Sequence, residues 1–129
     1  MSGARLAPSM HSPINAALGI THEDLPDGRV RLALATGPNH VNEVGIVHGG
    51  VTALLLDGAM GRCAGRTLAP GQTCATVQLS IQYLAPAEGR IEAVGRVLKR
   101  GRSTAFLEAE CTRADGVVVA RAHGTWIIR

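Results

Sequence analysis

A chain of 129 residues with 46% hydrophobic and 18% charged residues is of single-domain length, carries enough apolar mass for one core, and is excluded by composition from the disordered and low-complexity classes. Aromatic residues make up only 2%, namely Tyr83, Phe106 and Trp126, too few for a platform that stacks single-stranded bases. The net charge of +3 is too small to specify nucleic acid unless basic residues cluster, and one cluster exists, Arg96, Lys99, Arg100 and Arg102.

Three cysteines, Cys63, Cys74 and Cys111, form no close pair and no CxxC. An odd, scattered set suits a reducing compartment, with packing as the role expected of each. The N-terminus has no apolar run of the secretory type, and Val51 to Met60 is too short to span a bilayer and contains Asp57. A cytoplasmic chain with no membrane partner is expected.

Residues 1–12 read as a loose leader to a single domain over 1–129. Pro13 to Leu18 predicts a short helix, with Pro13 in its first turn and Gly19 at its end. Asp27-Gly28 turns the chain into Arg29–Thr36, where Val30, Leu32 and Leu34 alternate with Arg31 and Ala33 as in a strand with one face inward. Gly37-Pro38-Asn39 ends it. Gly49 to Gly65 is apolar nearly all round, with Asp57 the only charge between His48 and Arg62. That texture predicts a helix buried at the centre of the fold, and its glycines suggest close approach by another backbone. After Ala69-Pro70-Gly71 the pattern is strand-like to the end. Thr73–Leu84 places Val77, Leu79, Ile81 and Tyr83 on one side; Arg90–Lys99, Ser103–Arg113 and Val117–Ile128 follow after turns at Pro86–Gly89, Gly101-Arg102 and Ala114-Asp115-Gly116. Four consecutive strands with short turns predict an antiparallel meander. The fold class is α+β, five or six antiparallel strands curled around one central helix.

Four features in this frame could carry chemistry. A carboxylate at Asp57 among Ala53, Leu54, Leu55, Leu56, Ala59 and Met60 is costly to desolvate; it is either a hydrogen-bonded core aspartate or a group poised as base or nucleophile. His48-Gly49-Gly50 stands at the helix start, where uncovered N–H groups and the helix dipole stabilise a developing oxyanion, although a Gly-Gly pair also serves as a plain turn. Asn42 lies six residues before His48; a loop amide orients a water or carbonyl, or simply forms a turn. Thr76 places a hydroxyl within an apolar strand, which alone carries no signal.

Together these residues resemble a known family. Asn42-Glu43-Val44-Gly45-Ile46-Val47-His48-Gly49-Gly50 followed by Leu56-Asp57-Gly58-Ala59 is similar to the signature of hotdog-fold acyl-CoA thioesterases of the phenylacetate-degradation (PaaI-like) type. Thr76 to Pro86, Val97 to Arg102 and Ala120 to Thr125 fit the same family, so the resemblance spans residues 13–128. It implies a hotdog fold and hydrolysis of acyl-CoA to a free acid and CoA. It also implies that Asp57 acts as nucleophile or general base and that the Gly49 N–H receives the thioester oxygen. Asn42 and Thr76 would hold the water, carbonyl or acid, and His48 would shape the site. It further implies a homo-oligomer, dimer or dimer of dimers, with the site at the subunit interface, and a CoA nucleotide contact at Lys99, Arg100 and Arg102. No metal or cofactor is required, since CoA is part of the substrate. The alternatives are a hotdog hydratase or dehydratase acting on β-hydroxyacyl thioesters, for which His48 would serve, and a non-catalytic acyl-CoA-binding protein. The shortage of aromatics leaves no ring-lined acyl pocket.

Overall fold

Period-two alternation decides which face each strand buries, and the structure, a computed structural model, shows the result for residues 12–129. Apart from Ser12, the expected leader lies outside the described residues. Helix α1 (Pro13–Leu18) starts on Ser12, whose hydroxyl accepts from the Asn15 N–H, and stops at Gly19 in the left-handed region at φ 80°. Strands β1 (Thr21–Asp24) and β2 (Val30–Ala35) lead to helix α2 (Gly49–Gly65), then β3 (Cys74–Tyr83), β4 (Arg90–Arg100), β5 (Thr104–Arg113) and β6 (Val118–Ile128). The short β1, Thr-His-Glu-Asp, has no apolar alternation and escaped the sequence reading; three of its four residues are exposed.

All six strands form one antiparallel sheet in the order β1-β2-β4-β5-β6-β3. The predicted four-stranded meander is therefore corrected to three strands, β4-β5-β6. β3 pairs with β6 at the far edge, and Pro86–Gly89 carries the chain across the end of the sheet to β4, which lies between β2 and β5. Alternation specifies a buried face but not a lateral neighbour. One side of β3 thus has no strand against it among the described residues.

The helix packs on the sheet through Leu55, Leu56, Ala59, Met60, Cys63 and Ala64, which meet Leu32, Leu34, Ile91, Ala93, Leu107 and Trp126 in one core. Burying a leucine or methionine of this kind is worth about 1.5–3 kcal/mol. In a single chain the sheet covers only one side of α2. Ala53, Leu54 and Asp57 lie half-exposed on its other flank, so the expectation of a helix enclosed on all sides, with Asp57 deep in the core, is corrected.

The helix glycines also act differently from the expectation. A Cβ on Gly58 would meet the Leu32 side chain at 2.7 Å, and one on Gly61 would meet the Trp126 ring at 3.4 Å. Those neighbours are side chains. Close backbone approach comes from the sheet, where a Cβ on Gly95 of β4 would lie 2.9 Å from the backbone C and O of Ala59. Gly95 lets the helix sit down on the sheet.

Candidate active site

The loop before α2 is built by Asn42. Its side-chain oxygen accepts the N–H groups of Val44 and Ile46, each at 3.1 Å, while its own N–H donates to the Ile46 carbonyl at 2.8 Å. Val41 and Val47 close the loop as an isolated antiparallel bridge. The Asn42 carbonyl oxygen is thus spent on the turn, and its NH2 is the end left to meet a ligand. Below it, His40 is buried: its Nδ1 accepts the Gly37 N–H at 2.9 Å and its Nε2 lies 2.7 Å from the Leu18 carbonyl. Accepting at Nδ1 places the neutral ring's proton on Nε2, as donor to Leu18. The His40 carbonyl then receives the His48 N–H at 2.7 Å. A histidine that the motif does not contain therefore holds the loop that delivers the motif.

His48 caps α2 from outside the helix. Its Nδ1 accepts the Gly50 N–H at 2.8 Å, which leaves Nε2 as the donor of the neutral ring. The Gly49 N–H is different: it has no partner among the described residues. It sits at the first helical position, where backbone N–H groups are orphaned and the dipole is positive. An N–H so placed can donate to a developing oxyanion.

Asp57 lies on the flank of α2 that faces β3. Thr76 Oγ1 donates to Asp57 Oδ1 at 3.0 Å. Simple alternation would turn Val77 toward the helix and Thr76 away from it. The structure reverses this with a β-bulge: the register with β6 shifts between Thr76 and Gln78, so Val77 is the extra residue and is 61% exposed. Thr76, Leu79, Ile81 and Tyr83 then share the helix-facing side. At the end of the strand, the Tyr83 hydroxyl donates to the Gly49 carbonyl at 2.7 Å.

The basic cluster divides. Arg96 pairs with Glu108 on the outer sheet face. Arg100 turns inward: Nε donates to Thr67 Oγ1 at 3.1 Å, Nη2 to Gln72 Oε1 at 2.9 Å and Nη1 to the Gly101 carbonyl. That planar fork ties the α2–β3 connection to the β4–β5 turn. Lys99 and Arg102 are exposed and make no ion pair among the described residues. Of the three residues expected at the CoA nucleotide, these two have free charges.

Within one chain, then, the structure brings Thr76 to Asp57, and His48 and Tyr83 to the Gly49–Gly50 peptide. It keeps the two pairs apart. Asp57 follows Gly49 by eight residues on one helix, an axial separation of about 12 Å at 1.5 Å per residue.

Comparisons with known proteins bear on this arrangement. A sequence model of the thioesterase superfamily matches residues 44–120, which include His48, Gly49, Asp57 and Thr76. The medium/long-chain acyl-CoA thioesterase YigI of Salmonella typhimurium is 31% identical over 92% of this chain and 86% of its own length. Human acyl-coenzyme A thioesterase 13 is 32% identical over 82% of this chain and 77% of its own. Among solved structures, a Bacillus halodurans protein crystallised with CoA superposes with a TM-score of 0.86 at 30% identity, covering 98% of this chain and 84% of that one. A phenylacetic acid degradation-related protein from Ralstonia eutropha gives 0.83 at 27% identity, covering 96% and 97%.

Proposed function

The chain belongs to the thioesterase superfamily as a hotdog-fold acyl-CoA thioesterase, and from that premise we propose that it hydrolyses aliphatic acyl-CoA at a site completed by two copies of itself. The observation that carries this reading is the pairing of one free N–H at the N-terminus of α2 with one hydroxyl-held carboxylate on the open flank of the same helix.

Asp57 is the base or nucleophile. As base, it takes a proton from water as the water oxygen bonds to the thioester carbonyl carbon. The carbonyl oxygen becomes an oxyanion against the Gly49 N–H. Collapse breaks the C–S bond, its electron pair leaves on sulfur, and the proton held by Asp57 passes to the CoA thiolate. As nucleophile, Asp57 itself bonds to the carbonyl carbon, collapse expels CoA as thiolate and leaves an acyl anhydride, and water then opens the anhydride and supplies the proton that the thiolate takes, with the same overall products. Single turnover in 18O-water tests for the anhydride: label in Asp57 demonstrates it, opened by water at the Asp57 carbon, whereas direct attack of water on the thioester labels the free acid only. Thr76 holds Oδ1 of the carboxylate in either case and leaves Oδ2 for the reaction.

The two-chain site follows from distance. Reacting groups must stand about 3–3.5 Å from one carbonyl, and about 12 Å along α2 separates Gly49 from Asp57 within a chain. A second copy docked along the open side of β3 would set its own Gly49 against this Asp57 and cover the half-exposed Ala53 and Leu54. Sedimentation is expected to show a dimer or a dimer of dimers and no monomer. An aliphatic acyl group is supported by the side chains at the entrance end of α2, where Val41, Val44, Ile46 and Leu84 are exposed, and by the medium- and long-chain specificity in the name of YigI. Lys99 and Arg102 are proposed to meet the nucleotide phosphates, Asn42 to orient water or carbonyl through its NH2, and His48 to fix the helix start. The reaction needs no cofactor beyond the CoA that the substrate carries. Three free cysteines support a cytoplasmic setting.

Release of free CoA thiol from an acyl-CoA panel is the direct test. Wild-type protein is expected to release thiol with aliphatic chains, and Asp57→Asn to lose about 1,000-fold or more of that rate. Absence of thiol release across the panel would sink the hydrolytic reading.

A further inference from the structure

Tyr83 takes no part in the chemistry above, yet it makes the most specific contact at the helix start. Its hydroxyl donates to the Gly49 carbonyl at 2.7 Å, and its ring lies 3.4 Å from where a Gly49 Cβ would stand. The nitrogen of the same peptide group is held from the other side, because the Gly50 N–H donates to His48 Nδ1 at 2.8 Å. One peptide, Gly49–Gly50, is therefore gripped at both oxygen and nitrogen by residues from two different elements.

The grip answers a local weakness. Helix α2 begins with two glycines, which have the most backbone freedom to lose and sit where helices fray. If the first turn frays, Gly49 leaves its helical conformation: its ψ turns the Gly49–Gly50 peptide, its φ turns the His48–Gly49 peptide that carries the Gly49 N–H, and the direction of that N–H is lost. Tyr83 as a residue is 54% exposed in the single chain. Partial burial raises its phenol above the ordinary value of 10.0, so the group keeps its proton and remains a donor at neutral pH.

We propose that Tyr83 is a positioning residue for thioester hydrolysis, which through the Gly49 carbonyl holds the Gly49 N–H in the orientation that receives the oxyanion. The inference rests on the hydrolytic reading above. It also gives β3 a double role: Thr76 near its start orients the acid, and Tyr83 at its end orients the oxyanion donor. A preorganised donor contributes in the transition state and little to substrate binding, so its loss falls on kcat.

The test is Tyr83→Phe, which keeps the ring against Gly49 and removes only the hydroxyl. Steady-state release of CoA is expected to show kcat lowered about 5- to 30-fold, with KM within about twofold of wild type. In the same variant, the Gly50 amide, followed by NMR hydrogen exchange, is expected to exchange about tenfold faster. A raised KM with unchanged kcat would make Tyr83 a substrate contact and overturn the proposal. An unchanged Gly50 exchange rate would overturn the grip itself, whatever the kinetics. Wild-type protein that releases no CoA would instead remove the hydrolytic reading, and with it the catalytic part of this one, while the exchange measurement still judges the grip.

Discussion

Thr76 reaches Asp57 at 3.0 Å because β3 carries one residue too many. Without the bulge at Val77, strict alternation would place the Thr76 hydroxyl on the outer face of the sheet, and the carboxylate would lose its only side-chain partner among the described residues. Replacing the hydroxyl alone isolates that contact. Thr76→Val is expected to lower kcat about 10-fold, and Thr76→Ser to recover most of the loss. Steady-state thiol release checks both, and equal rates for the two variants would remove the hydroxyl from the site.

Gly95 is predicted to be a stability position with no direct part in catalysis. Its Cβ would lie 2.9 Å from the backbone of Ala59, and backbone cannot rotate away. Gly95→Ala should lose about 1–3 kcal/mol. Gly37→Ala is the control: that glycine is extended, and nothing stands within 4 Å of its Cβ position. Urea midpoints for the two variants decide whether the helix seat is as tight as the geometry says.

The basic cluster should split by assay. Arg102→Ala and Lys99→Ala are expected to raise KM for CoA thioesters several-fold and leave pantetheine thioesters unchanged, with an effect that shrinks in high salt. Arg100→Ala should act on stability, by about 1–3 kcal/mol, because its guanidinium braces Thr67, Gln72 and Gly101. A KM effect confined to Arg100 would reverse the assignment.

Alkaline pH is predicted to expose Cys111. Burial pushes its thiol from 9.0 up to about 12, with the Glu92 charge adding to the rise. Between those two values the native chain keeps a proton that the unfolded chain releases, so stability falls as pH rises, whereas below 9 the group contributes no slope. Cys111→Ala should flatten that part of the pH dependence while shifting the whole curve down for its lost packing. Urea titrations of both proteins from pH 8 to 10.5 measure the two slopes; parallel curves would show that Cys111 is not the group responsible.

Much of the fold and site is legible in the residues themselves. The span Gly49–Gly65 has the length and texture of a helix and is one. Asp27-Gly28 and Ala114-Asp115-Gly116 are turn sequences and do turn, with Gly28 at φ 90° and Gly116 at φ 88°. His48, Gly49, Asp57 and Thr76 stand out through a spaced pattern of types. Other parts are silent for identifiable reasons. β1 is four polar or small residues whose pairing is contributed by β2. His40 reads as one more loop histidine until Leu18, 22 residues earlier, supplies the acceptor. Tyr83 reads as the apolar end of a strand, and Arg100 as one of a row of cations, because hydrogen-bond partners distant in sequence leave no local mark.

By itself the sequence determined the identity of the chemical groups, the inward faces of the strands that alternate regularly, and the places where the chain must turn, because each depends on a period of two residues and on glycine's freedom at single positions. Tertiary structure alone decided that β3 crosses to the far edge, that a single extra residue turns Thr76 toward Asp57, and that Tyr83 closes on Gly49. Those outcomes depend on lateral pairing and register, which are energies between segments far apart in the chain. The same helix that sets Gly49 and Asp57 in one motif also holds them about 12 Å apart, and that separation is the physical ground for the proposal that two chains share one site.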